Sequence, residues 1–119
     1  MNIYQSEIVY IGEQAELFLN EGIIVFFGDN APEELQEFAV LHKLNEILGE
    51  IVVGSTIELS GAILKVTAVG HVANENFQNL GHLVLKLDFA TEPALPGDVS
   101  CSFDVKPEVN IGDSLKISS

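Results

Sequence analysis

His82-Leu83-Val84-Leu85-Lys86-Leu87-Asp88-Phe89 decides the fold class. Leu83, Leu85, Leu87 and Phe89 share one parity, and His82, Lys86 and Asp88 the other. Side chains alternate across a β-strand with period two, so the run reads as a strand with one face in a core. The same reading extends outward. In Ile63 to Val69, Leu64, Val66 and Ala68 lie opposite Lys65, Thr67 and, further on, His71. Ser60-Gly61 joins that run to Thr56–Leu59 as a hairpin-like pair. Val99, Cys101, Phe103 and Val105 alternate with Ser100, Ser102 and Asp104, and Leu115 to Ile117 closes the chain. At the other end, Ile3 to Ile11 is β-branched and aromatic up to Gly12, and Ile23 to Phe27 is a continuous apolar run of strand length.

Helical signals are short. Glu13 to Leu19 has helical spacing, and Asn74 to Leu80 suits one turn over a loop. A third start is marked by Asn30 as a cap, Pro32 in the first turn, and Glu33 and Glu34 at the positive end of the dipole. That helix is expected to give way near Phe38 to an extended segment through His42. Seven or eight short strands with fragments of helix predict a mainly β chain: a small closed or nearly closed β-barrel of about seven strands with short peripheral helices. Closure suits so small a sheet because it removes exposed edges.

The 119 residues make one domain, 1–119, and 47% hydrophobic content is enough for a core without staples. No apolar run approaches the roughly 20 residues that span a bilayer, and no secretory pattern is visible, so a cytoplasmic protein without membrane insertion is expected. Thirteen Glu and five Asp face five Lys and no arginine, for a net charge of −13. Nucleic acid is therefore excluded as a natural partner. No guanidinium clamp on phosphate can be built either. A basic protein partner is the complement that such a field favours, although excess acid also serves solubility alone.

The chemistry concentrates in Gly28 to His42, where an acidic helix start at Glu33, Glu34 and Glu37 leads through Phe38-Ala39-Val40-Leu41 to one imidazole. His42 reads either as a satisfied core histidine or as a nucleophile in a depression. As a nucleophile, its ring must be reachable at the barrel surface. His82 follows Gly81, where a missing side chain leaves the imidazole approachable. His71 reads as a surface loop residue. No two of the three histidines stand at ligand spacing, so neither a metal nor another cofactor is expected. Cys101, on the apolar parity, reads as a small buried hydrophobe.

Two motifs carry a resemblance. Gly28 to His42, with Ala31-Pro32, Leu35 and the terminal histidine, resembles the phosphorylated segment of the glucitol/sorbitol-specific enzyme IIA family of the bacterial phosphotransferase system. Thr67 to Gly70, Val72-Ala73, Asn76 and Leu80-Gly81-His82 resemble the second signature of that family. The opening strand to Gly12 and Pro96-Gly97 fit as well. The resemblance implies a small β-barrel and a phosphotransferase component working through a phosphohistidine. It would accept phosphate from phospho-HPr on His42 and pass it to a cysteine of the sugar-specific IIB domain of the permease. His82 is the candidate for a supporting imidazole. The alternative is a non-catalytic regulatory or binding barrel that docks a basic partner.

Overall fold

The computed structural model describes residues 1–119. Eight strands form it: β1 (Asn2–Ile11), β2 (Ile23–Gly28), β3 (Val40–His42), β4 (Thr56–Leu59), β5 (Ala62–Val69), β6 (Leu83–Lys86), β7 (Asp98–Phe103) and β8 (Ser114–Ser118). They close into a barrel in the order β1–β3–β2–β6–β7–β5–β4–β8, and β8 returns to β1. Pairs β2–β3 and β6–β7 are parallel and the others antiparallel. Each parallel pair is reached by a crossover carrying a helix or a loop, as parallel pairing requires. Three short helices decorate the outside: α1 (Ala15–Asn20), α2 (Glu33–Gln36) and α3 (Ala73–Leu80). None is long and apolar enough to cross a membrane.

The inward parity supplies the core. Ile3, Ile8, Ile24, Phe26, Ile57, Leu59, Leu64, Val66, Leu83, Leu85, Val99, Cys101, Leu115 and Ile117 pack into one buried cluster. Burying each large aliphatic among them contributes about 2 kcal/mol. α3 closes one end by inserting Ala73 and Phe77, four residues apart on one helical face.

Four local expectations are corrected. The alternation of 82–89 outlasts its ladder: β6 stops at Lys86, the Leu87 N–H donates to Gly22, and Phe89 adopts a positive φ. There the Phe89 N–H donates to the Cys101 carbonyl, and its 53% exposed ring packs on Phe103. Val105 likewise lies past the end of β7 and is 71% exposed, and residues 98–101 are buried on both parities. Asp98 tolerates that burial because it accepts the Leu95 N–H and pairs with Lys86 at 2.9 Å. Asn30 does not cap α2, whose N-cap residue is Pro32 with no side-chain bond; instead the Gln36 amide closes the turn onto the Ala31 carbonyl. Finally, 73–80 is a two-turn helix rather than a single turn. It is pinned by Asn74, which bonds both the N–H and the carbonyl of Ile51.

Candidate functional site

β3 is three residues long and lies between β1 and β2, and its last residue is His42. The register places His42 beside Ile8 on one neighbour and Gly28 on the other. All three residues of β3 are buried, so the apolar run that leads to His42 carries the ring into the core with it. The imidazole meets Tyr4 edge-on at 5.3 Å between centroids, Phe26 at 6.2 Å and Phe77 at 6.1 Å. Its exposure is 0%. The expectation of a ring open at the barrel surface is therefore corrected.

Both ring nitrogens are engaged. Nε2 lies 2.8 Å from the Gly81 carbonyl oxygen and Nδ1 lies 2.7 Å from the Tyr4 hydroxyl. A carbonyl only accepts, so Nε2 carries a hydrogen and donates it to Gly81. Desolvation holds the ring below its ordinary pKa, against smaller opposing effects from the Gly81 carbonyl and the Asp29 charge. The ring is thus neutral near pH 7, and Nδ1 keeps its lone pair for the Tyr4 O–H. Tyr4 is itself buried, and burial pushes its phenol above the ordinary value.

Gly81 covers the Nε2 edge. It ends α3 in the left-handed region, at φ +63, with its N–H donating to the Phe77 carbonyl. A methyl at its Cβ position would lie 3.0 Å from His42 Nε2 and Cε1 and 2.9 Å from the Gly28 nitrogen. Two demands therefore converge on glycine here, one conformational and one steric.

The next residue is His82. Its Nδ1 lies 3.1 Å from the Phe26 carbonyl, which fixes the hydrogen on Nδ1. Its ring stacks on Phe27 at 4.1 Å and 13°. It is part-exposed, and Nε2 makes no hydrogen bond within the protein. One peptide thus joins the two imidazoles named by the sequence: the residue 81 carbonyl binds one ring, and residue 82 carries the other. His71 is exposed and lines a separate depression with Glu50, Asn74 and Glu75. Glu33, Glu34 and Glu37 lie exposed on and just after α2. Cys101 sits in the core cluster at 0% exposure, and burial, then the Asp88 charge, pushes its thiol up to about 12. No group of three or more His, Cys, Asp or Glu side chains is placed to hold a metal ion.

Sequence reasoning missed two members of this site. Tyr4 looked like one more aromatic in β1; a buried phenol needs a partner, but nothing local says which. The Gly81 carbonyl is a backbone group and leaves no mark beyond the glycine itself.

Comparison with known proteins agrees with this architecture. A family model described as "PTS system glucitol/sorbitol-specific IIA component" matches residues 3–116. Proteins named as the glucitol/sorbitol-specific EIIA component of that system in Shigella flexneri and in Escherichia coli K12 are each 34% identical over 117 residues, covering 98% of this chain and 95% of the relative. A crystal structure described as a PTS system IIA component from Enterococcus faecalis V583 superposes with a TM-score of 0.83, at 22% identity, over 98% of this chain and all of that one. At that identity it speaks for the fold.

Proposed function

The chain belongs to the glucitol/sorbitol-specific IIA family of the phosphotransferase system, and from that footing we propose that it is a cytoplasmic phosphoryl relay, taking phosphate from phospho-HPr onto His42 and passing it to a cysteine of the IIB domain. The observation that carries the reading is a neutral imidazole held by a partner on each nitrogen, with Nε2 facing the α3–β6 connection and Nδ1 facing the packed interior. A neutral ring is the nucleophilic form. Nδ1 meets a tyrosine that is 1% exposed, so uncovering it means opening the core. Uncovering Nε2 means moving the Gly81 carbonyl, at the end of a short helix. Nε2 is accordingly the atom that takes the phosphoryl group.

Transfer needs three events. The Gly81–His82 connection moves off Nε2 when the donor docks, and the ring exchanges its Nε2 hydrogen for one on Nδ1 through water admitted by that opening. The Nε2 lone pair then forms the new N–P bond as the donor's N–P bond breaks. The electron pair that held the phosphoryl group stays on the donor nitrogen. Handing the group to IIB reverses the roles, with a cysteine sulfur as nucleophile. The transition state is loose and metaphosphate-like, so positioning and charge carry most of the catalysis. This chain has no arginine and a net charge of −13, so the visiting protein must bring the cationic face. His82 follows Gly81 at this opening; its Nδ1 hydrogen is held by the Phe26 carbonyl, so it donates to the phosphoryl oxygens only with a second proton on its free Nε2.

A second reading has its own observation: His82 is part-exposed, holds its hydrogen on Nδ1 and leaves Nε2 free, which suits an acceptor. Phosphopeptide mapping after incubation with phospho-HPr separates the readings. Acid-labile, alkali-stable phosphate on the peptide containing His42 supports the relay as written. Label on the peptide containing His82 moves the acceptor by one ring. No label on either points to the non-catalytic docking barrel.

A further inference from the structure

We propose that the Tyr4 hydroxyl is the positioning group that holds the His42 proton through phosphoryl transfer, donating to Nδ1 before the reaction and accepting from Nδ1–H after it. The inference rests on the relay reading and adds a residue to it. Tyr4 Oη lies within reach of two acceptors, His42 Nδ1 at 2.7 Å and the Lys43 carbonyl at 3.0 Å, and it has one hydrogen for both. In the resting ring that hydrogen must face Nδ1, since the other ring nitrogen already donates to Gly81. The Lys43 carbonyl is not orphaned meanwhile, because it also accepts the Ser6 hydroxyl.

Once Nε2 bears the phosphoryl group, the ring hydrogen sits on Nδ1 and points at Tyr4 Oη. The phenol then becomes the acceptor and turns its own hydrogen to the Lys43 carbonyl. On the Nδ1 side, rotation about one C–O bond accommodates the two states, with Nδ1, the Tyr4 hydroxyl and the Lys43 carbonyl each partnered in both. The ring gives up its Nε2 hydrogen to water admitted when the Gly81 carbonyl moves away and gains one on Nδ1 in exchange, so the proton count of His42 is unchanged. A phenylalanine ring would fill the same space and leave Nδ1–H buried without a partner. That loss weighs more after transfer, when the donor is attached to a phosphorylated, more cationic ring. Other titratable or charged residues flank the ring: Asp29 after β2, whose charge acts on both His42 and Tyr4, Lys43 directly after His42, and His82 after α3. None of these side chains bonds to Nδ1.

The test compares wild type with Tyr4→Phe, using phospho-HPr as donor. Labelling of His42 is expected to slow by roughly tenfold to a hundredfold, the range for an orphaned buried donor. Nitrogen NMR of the phosphorylated protein should show Nδ1 losing its hydrogen at lower pH in the variant, and the unphosphorylated variant should melt several degrees below wild type while still folding, because Nδ1 loses its donor there too. The wild-type spectrum is a readout that does not depend on the variant folding: phosphorylated His42 must retain a hydrogen-bonded Nδ1–H. A variant labelled at the wild-type rate with unchanged Nδ1 titration overturns the role of Tyr4 and leaves the relay standing. A wild type that takes no phosphate on His42 removes the relay assignment and the tyrosine's role together.

Discussion

Two side chains with nucleophilic atoms lie at 0% exposure in different walls of the barrel: His42 on β3, between β1 and β2, and Cys101 on β7, beside β5. Desolvation acts on both and disfavours the charged form of each. It pushes the thiol up to about 12 and the imidazole below its ordinary value. A cysteine attacks as the thiolate and a histidine as the neutral ring, so the same burial silences one and keeps the other in its reactive form. Partners sharpen the contrast. His42 bonds Tyr4 and Gly81, whereas Cys101 has no hydrogen-bonding partner for its sulfur and packs among Val66, Val99 and their neighbours. One wall is scaffold; the other gives up apolar packing for a held ring.

The largest effect comes from breaking the contrast outright. His42→Ala is expected to lose all transferable phosphate, a drop of at least about a thousandfold for a covalent nucleophile, while Cys101→Ala labels at the wild-type rate. Quantifying acid-labile phosphate on both variants checks this. Label lost from Cys101→Ala with its fold intact would place the chemistry in the wrong wall.

Next is the cover. Gly81→Ala forces an alanine into the left-handed region and drives its methyl against the His42 ring and the Gly28 backbone. The expected loss is about 2–3 kcal/mol, or on the order of 10 °C in melting temperature. Gly61→Ala makes the control: φ there is +84, but nothing lies within 4 Å of the new methyl, so only the conformational cost of about 1 kcal/mol applies. Equal losses in calorimetry would mean that Gly81 does not press on the ring.

How much of this was legible follows from the range of each signal. Alternation in Leu64–Val66–Ala68 and in Leu83–Leu85 is local, and those positions are buried as the pattern predicts. Strand ends are not legible where alternation outlives hydrogen bonding, as at Phe89 and Val105, because periodicity records side-chain parity and not ladder partners. The strand order, with β3 slipped between β1 and β2, is set by contacts between residues far apart in sequence. His42 and His82 were legible as imidazoles, but their link through the Gly81 carbonyl was not, since backbone acceptors carry no residue code. Nor was the depth of His42 readable: Phe38 to Leu41 suits both a core strand and the floor of a depression, and only the Tyr4 and Phe77 rings from elsewhere in the chain decide it.

A smaller effect probes the exposed ring. His82→Ala removes the stack on Phe27 and the bond to the Phe26 carbonyl, and is expected to slow phosphoryl transfer by about tenfold, near 1.4 kcal/mol of transition-state stabilisation, with His42 still labelled. Single-turnover rates with phospho-HPr measure it. An unchanged rate makes His82 a surface residue.

The smallest effect tests the electrostatic half of the contrast directly, because the two groups must bend the stability curve at opposite ends. His42 has a folded-state pKa below its ordinary 6.5, so the unfolded chain binds a proton that the native ring refuses. Its full contribution is present above that ordinary value and is lost as pH falls toward the depressed one. Cys101 is the mirror case. Its folded pKa is raised from 9.0 to about 12, so its contribution is complete below 9.0 and declines as pH rises, at up to about 1.4 kcal/mol for each unit. Tyr4 shifts in the same direction as the thiol but starts from 10.0, which leaves pH 9 to 10 as the interval where the cysteine acts most nearly alone. Urea unfolding across pH 5.5 to 6.5 and 9 to 10 should show His42→Gln flattening only the acid arm and Cys101→Ala only the alkaline one. If each variant keeps the wild-type slope in its own window, desolvation is not what separates the two walls.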